Sequence, residues 1–271
     1  NLIYKFASQR RIKYEYMSNS IIIIPSRLAA TRLPQKPLIK INNKTLIMHV
    51  YEKAIQSQIG EVYVATCDEE IASEVRKNGG KFIMTDINHT TGTDRVFEAS
   101  QKLNLKDIDF IMNIQGDEPM INPLDIKNLN KLSKEKNLNI STLAYNIEKN
   151  EDYDNENIVK VITKNKISDN SISEALNFHR VIKEDSYDNI YQHFGIYLFK
   201  YSALKKFVNL KKSKNEIKER LEQLRAIDNN MKIDVLLANY FSSGIDTKKD
   251  LEEYINFCLL YTSDAADEWP G

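Results

Sequence analysis

Four consecutive isoleucines, Ile21 to Ile24, followed at once by Pro25, constrain this chain more than any other feature. A run with no polar residue to turn toward water suits a strand buried on both faces, as in a parallel sheet covered by helices. The loop it feeds carries Arg27, Arg32 and Lys36. In open α/β sheets ligands bind outside the carboxyl ends of the strands, so these three cations stand where a ligand would lie. Pro25, Pro34 and Pro37 stiffen the loop, which lowers the entropic cost of holding several charges on one anion. A solvated surface loop accounts for the charges but not for the prolines. The segment therefore reads as a polyphosphate-binding loop. The glycine-rich GxxxxGK[ST] motif is absent, which argues against a P-loop ATPase.

Five further segments follow in order: Thr91-Gly92-Thr93-Asp94-Arg95, Asn113 to Pro119, His193 to Tyr197, Leu221 to Arg225, and Gly244-Ile245-Asp246-Thr247. With the first loop they resemble the sugar-activating cytidylyltransferases, specifically the 3-deoxy-manno-octulosonate (Kdo) cytidylyltransferase family, over Met17 to Phe257. The resemblance implies transfer of CMP from CTP to a 2-keto-3-deoxy sugar acid, with Mg2+ as cofactor and a homodimer as the assembly. It also implies a Rossmann-like nucleotide-diphospho-sugar transferase fold.

The periodicities agree with an α/β class. Apolar residues recur at helical spacing from Leu46 to Ile55, and Glu61 to Thr66 reads as a strand. The alternation continues with helices near Glu69–Lys77 and Asp94–Lys102, and strands Lys81–Met84 and Phe110–Ile114. This predicts a mostly parallel sheet flanked by helices. Beyond a helix from Pro123 to about Lys136, β-prone runs at Ile140–Ile147, Ile158–Thr163 and Gly195–Phe199 no longer alternate cleanly with helices. They suit a small antiparallel lobe, which in the resembling family serves dimerisation and sugar binding. A lysine-rich helix from Glu216 to Asn229, a strand Lys232–Leu236 and a helix opened by the capping box Thr247 to Asp250 complete the expected domain.

With 271 residues and 42% hydrophobic content, the chain can bury one substantial core. Its formal net charge of zero gives no global pull toward nucleic acid or membrane. Cys67 and Cys258 have no metal-ligand spacing and no secretory signal is evident, so a reduced, cytoplasmic protein is expected. One domain over 17–257 is predicted. Residues 1–16 read as a non-native upstream extension, and 258–271, which abruptly lack Lys and Asn, as an adapter-derived tail.

Asp117 follows a strand on a loop between Gly116 and Pro119, a fixed tip suited to a metal carboxylate. Asp246 precedes a helix, where capping alone would explain it. The resemblance makes Asp117 and Asp246 the magnesium ligands and, with Arg27 and Lys36, the catalytic set. It assigns CTP to Arg27, Arg32, Lys36, Thr91, Gly92, Thr93 and Gln115, and the sugar to His193, Tyr197, Glu222 and Gln223. Taken alone, Thr93 would pass as a helix cap, and His89 stays unassigned between ligand contact and exposed residue. In place of a Phe-Ser-Arg-like segment near the sugar carboxylate, Ile172-Ser173-Glu174-Ala175 offers Glu174, with Arg180 able to take over in a shifted register. An amino sugar or a sialic-acid-like acceptor is the alternative substrate, and a degenerate nucleotide-binding module the alternative class. A dinucleotide oxidoreductase is disfavoured because no GxGxxG follows the first strand.

Overall fold

The isoleucine run forms β1 (Ser20–Ser26), whose seven residues are all buried. It lies parallel to β4 (Val62–Thr66) on one side and β6 (Phe110–Asn113) on the other. Successive side chains of a strand face opposite ways. Ile22 and Ile24 accordingly enter one core with Ile47, Val50 and Ala54 of α1 (Leu46–Gln56). Ile21 and Ile23 enter the other with Val96 and Ala99 of α3 (Gly92–Lys102). Each such isoleucine contributes roughly 1.5–3 kcal/mol by leaving water. The first loop ends in a short hairpin, β2 (Lys40–Ile41) and β3 (Lys44–Thr45). Asn42 and Asn43 turn it with positive φ of 49° and 65°, as a tight hairpin turn requires.

This computed structural model describes residues 20–29, 33–103, 108–147, 150–168, 171–182, 188–240 and 244–267. Arg32 and the expected extension 1–16 lie outside them. The central sheet has nine strands in the order β5-β4-β1-β6-β10-β7-β11-β9-β8. The remaining strands are β5 (Phe82–Met84), β7 (Ile140–Asn146), β8 (Lys160–Thr163), β9 (Ile172–His179), β10 (Ile190–Lys200) and β11 (Asp234–Leu237). Among the other helices, α2 (Glu69–Lys77) and α4 (Pro123–Glu135) match the predicted spans closely.

The expectation of a mostly parallel sheet holds only for β5, β4, β1 and β6. β10 runs antiparallel to β6, β7 and β8, and β9 antiparallel to β8 and β11; β7 and β11 are parallel. The antiparallel part continues the same sheet, and its pairings run from β10 through β7, β11, β9 and β8 back to β10. β10 serves both halves because its register shifts between Phe194 and Tyr197, at Gly195. The Thr142 hydroxyl braces that bulge, lying 2.6 Å from the Ile196 carbonyl oxygen and 3.1 Å from that of Phe194.

Besides the β2–β3 hairpin, β9 and α5 (Tyr201–Val208) have no counterpart among the predicted elements. The expected lysine-rich helix is instead two, α6 (Lys214–Glu219) and α7 (Leu224–Asp228), because Arg220 turns left-handed at φ 55°. In the closing helix α8 (Lys248–Asp267), Thr247 Oγ1 accepts from Asp250 N at 3.2 Å and Asp250 Oδ2 from Thr247 N at 2.7 Å, the predicted capping box. α8 continues across 258, where the sequence changes character. Among the described residues, no helix is long and apolar enough to cross a membrane.

Candidate active site

The carboxyl ends of β1 and β6 open into a cavity of about 370 Å³, lined by Arg27, Lys36, Gln115, Asp117 and Asp246 together with the start of α3. Gly116 lets the loop after β6 pass β1, since a Cβ there would stand 3.1 Å from the Pro25 carbonyl oxygen and 3.3 Å from Ile47. Gly92 likewise abuts the Pro25 ring. Ser26, buried beside this cavity, has a hydroxyl with no hydrogen-bond partner among the described residues.

Lys36 joins the two acids that sequence reasoning paired. Its Nζ lies 2.6 Å from Asp117 Oδ2 and 3.1 Å from Asp246 Oδ1, and donates to the Ile245 carbonyl at 2.8 Å. Burial works against its charge, but the carboxylates, Asp117 foremost, outweigh it and raise its pKa. The Ile245 N–H donates to the Asp117 carbonyl at 2.9 Å, pinning the chain's two acidic segments together. Asp250 Oδ2 in turn accepts from Asp246 N at 2.9 Å. Two carboxylates thus converge on one cation, with phosphate-ready cations on the same wall.

A second cavity, of about 380 Å³, adjoins the first at Gln115, which lines both. It contains all four predicted sugar residues, His193, Tyr197, Glu222 and Gln223. His193 Nε2 lies 3.0 Å from Thr142 Oγ1 and 3.1 Å from the Tyr197 hydroxyl. Burial lowers the His193 pKa to about 3 and drives that of Tyr197 well above its ordinary value, so both are neutral. Glu222 Oε2 accepts from Thr93 Oγ1 at 2.8 Å, and burial raises its pKa against the pull of the Thr93 and Thr91 hydroxyls and of Arg225. Arg225 itself forms a buried fork on Glu216, at 2.9 and 2.6 Å.

Among the nucleotide candidates, Arg27 is exposed on the first cavity's wall, and Thr91 and Gly92 lie at its far side. Thr91, not Thr93, is the cap of α3: its hydroxyl accepts from Asp94 N at 3.1 Å. Thr93, two residues on, bonds Glu222 and lines the second cavity rather than the first.

Three residues were missed or left open. His89 lines the first cavity and is held by Glu98 at 2.5 Å. Burial opposes the Glu98 charge, but bonds from Lys102, the Asp86 N–H and His89 bring its pKa down to about 2. Arg95 also lines the first cavity, buried and donating to Thr85 Oγ1. The Thr-Gly-Thr-Asp-Arg motif contained it, and its burial was the unseen signal. In the second cavity, Arg180 and Arg220 line the wall and Glu174 does not. Glu174 instead sits opposite Asp234 in the β9–β11 pairing, away from this cavity's wall.

The cytidylyltransferase family profile matches residues 21–233. The 3-deoxy-manno-octulosonate cytidylyltransferase of Thermodesulfovibrio yellowstonii is 46% identical over 243 residues, 86% of this chain and 95% of that relative. The solved structure of CMP:2-keto-3-deoxy-manno-octonic acid synthetase complexed with CTP is similar at a TM-score of 0.81 and 33% identity, over 90% of this chain and 99% of that one. Apo UDP-glucose pyrophosphorylase, at 14% identity and a TM-score of 0.66 over 90% and 99% of the two chains, shares the fold.

Proposed function

The chain belongs to the cytidylyltransferase family, among its 3-deoxy-manno-octulosonate cytidylyltransferases, and on that premise we propose that it transfers CMP from CTP to Kdo in this cleft. Pyrophosphate leaves, and the sugar is activated for lipopolysaccharide assembly. The observation that carries the reading is the junction of the two cavities at Gln115: a charged one sized for a nucleotide and a polar, buried one beside it.

No covalent enzyme intermediate is required. The anomeric hydroxyl attacks the α-phosphorus in line, and the chain's task is to hold both partners and neutralise charge. Arg27 and Lys36 hold the triphosphate, while Thr91, Gly92 and Gln115 surround the nucleoside. His193, Tyr197, Glu222 and Gln223 pair the sugar hydroxyls, so an acceptor lacking one leaves a buried group unpaired. Arg180 receives the carboxylate.

Mg2+ fits Asp117 and Asp246: both already converge on a cation, the Lys36 ammonium, and this metal takes one or two protein carboxylates alongside phosphate oxygens. When bound, it supplies charge neutralisation on the phosphates and a lowered pKa for the attacking hydroxyl. That Cys67 and Cys258 are not joined in a disulfide suits a cytoplasmic setting. Exposed Leu176, Val181 and Ile217, on segments joined by a bond from Arg180 Nε to the Glu219 carbonyl, support a homodimer across the antiparallel half.

Magnesium-dependent pyrophosphate release from CTP tests the reading, with Kdo, its 8-amino derivative and a sialic acid compared side by side. Release with Kdo is expected. Selective release with either alternative would reassign the acceptor, and silence with all three would leave only nucleotide binding.

A further inference from the structure

Lys160 of β8 is fully buried, 0% exposed, although nothing in the proposed chemistry uses it. Its Nζ donates to the carbonyl oxygens of Asn155 and Ile158, each at 2.8 Å, and to that of Arg180. An ammonium has three N–H donors, and all three are used. Arg180 repeats the arrangement one layer closer to the sugar cavity. Its Nε, Nη1 and Nη2 donate to the carbonyls of Glu219 at 2.9 Å, Glu156 at 3.0 Å and Arg220 at 3.3 Å.

Two cations therefore tie three stretches of backbone together: the turn before β8, the end of β9, and the left-handed turn that leads directly to Glu222 and Gln223. Among the described residues, neither is hydrogen-bonded to a carboxylate. A buried ammonium is costly where an apolar side chain would fill the space, so its retention calls for what only the donors provide, a fixed frame of carbonyls. The frame also leaves positive charge behind the wall on which Arg180 stands, the sign an acidic sugar requires.

We propose that Lys160 is a positioning residue for the acidic sugar: by clamping the Arg180 carbonyl and the preceding turn, it aims Arg180 and the Glu222–Gln223 segment into the second cavity. It sets sugar affinity without touching the sugar or the nucleotide. This rests on the sugar-cavity assignment above.

The charged groups around it are Asp152 and Asp154 from the preceding turn and Arg180 beyond β9, while His179 pairs with it across the strands. Burial lowers the Lys160 pKa to about 8, against the favourable pull of Asp152 and Asp154. Above that pH the neutral amine keeps two N–H groups for three carbonyls. The clamp then loosens.

The test compares wild type, Lys160→Arg and Lys160→Met, measuring KM for CTP and for Kdo at about pH 7 and about pH 9.5. Amide hydrogen exchange over 155–158 and 219–223 is followed in parallel. Lys160→Met should raise the sugar KM about tenfold at both pH values, the scale of one charge-assisted hydrogen bond, and leave the CTP KM within about twofold. The wild-type sugar KM should climb from the lower to the higher pH, and Lys160→Arg should abolish the climb because guanidinium keeps its charge. Exchange in both stretches should quicken in Lys160→Met.

An unchanged sugar KM in Lys160→Met, a flat wild-type profile, or unaltered exchange would each overturn the proposal. If Lys160→Met does not fold, seen as lost CTP binding, the wild-type and Lys160→Arg profiles decide. If wild type is silent with Kdo, the functional reading fails instead, and the exchange of folded Lys160→Arg against wild type at the two pH values decides on Lys160.

Discussion

The first cavity is walled by charged side chains at strand ends; the second sets the neutral His193 and Tyr197 of a strand interior beside Arg180, Arg220 and Glu222. Arg27 is exposed and Lys36 reaches its two carboxylates from a short helical turn. His193 and Tyr197 instead sit within β10, packed on Phe178 and on each other. A triphosphate is recognised by charge, which tolerates loops and water. A sugar is recognised by hydroxyl geometry, which needs donors and acceptors that do not move. The two halves should therefore fail differently when acid, metal-ligand changes or lost hydroxyls are applied.

Acid should separate them most. His193 is neutral in the folded chain with a pKa of about 3, while an unfolded histidine titrates near 6.5. Below that value the unfolded state binds a proton that the folded state refuses, so stability falls as pH drops from the unfolded toward the folded pKa. By linkage the loss approaches the order of 5 kcal/mol at the acid end. Urea unfolding of wild type and His193→Gln across this range should give a shallower acid limb in the variant. Equal limbs would mean that the sugar half is not the acid-sensitive one.

Replacing the carboxylate proposed for the metal should strike only the other half. Asp117→Asn keeps the backbone bond to Ile245 but removes one of the two charges that meet at Lys36 and that are proposed to hold Mg2+. Turnover should fall about a hundredfold or more, the scale of losing one preorganised charge, while sugar affinity and melting behaviour stay close to wild type. Isothermal titration with the sugar and steady-state pyrophosphate release report the two sides separately. Near-normal turnover would remove Asp117 from the metal site.

The same contrast decides what could be read from the sequence. The charged half was legible because its signals are local: four isoleucines, prolines around cations, and an acid between Gly116 and Pro119. The helix spans there also follow from short-range pattern, although the β2–β3 hairpin went unpredicted. The sugar half depends on register. β9 reads poorly because Glu174 and Asn177 interrupt its apolar alternation, and it exists through pairing with β8 and β11. The bulge between His193 and Tyr197 is braced by the hydroxyl of Thr142, far upstream in the sequence. The choice between Glu174 and Arg180 stays open in the sequence for the same reason, since register decides which of the two side chains lines the cavity.

The smallest effects test the seam between the halves. Thr91 and Thr93 are two residues apart on one helix start, yet the first caps α3 and the second crosses to Glu222. Thr91→Ala should cost about 1 kcal/mol in unfolding and raise the sugar KM less than loss of the Thr93 hydroxyl does, because Thr91 caps the helix and is the lesser of the two threonine partners of Glu222. Thr93→Val keeps the shape but strips a hydroxyl from a buried carboxyl, so the sugar KM should rise by about five- to tenfold with CTP nearly unaffected. A double-mutant cycle with Glu222→Gln measures how much of that rise belongs to the pair. If Thr93→Val weakened CTP and sugar alike, the bond would be a strut shared by both cavities, and the division of the cleft into a charged half and a geometric half would have to be redrawn at α3.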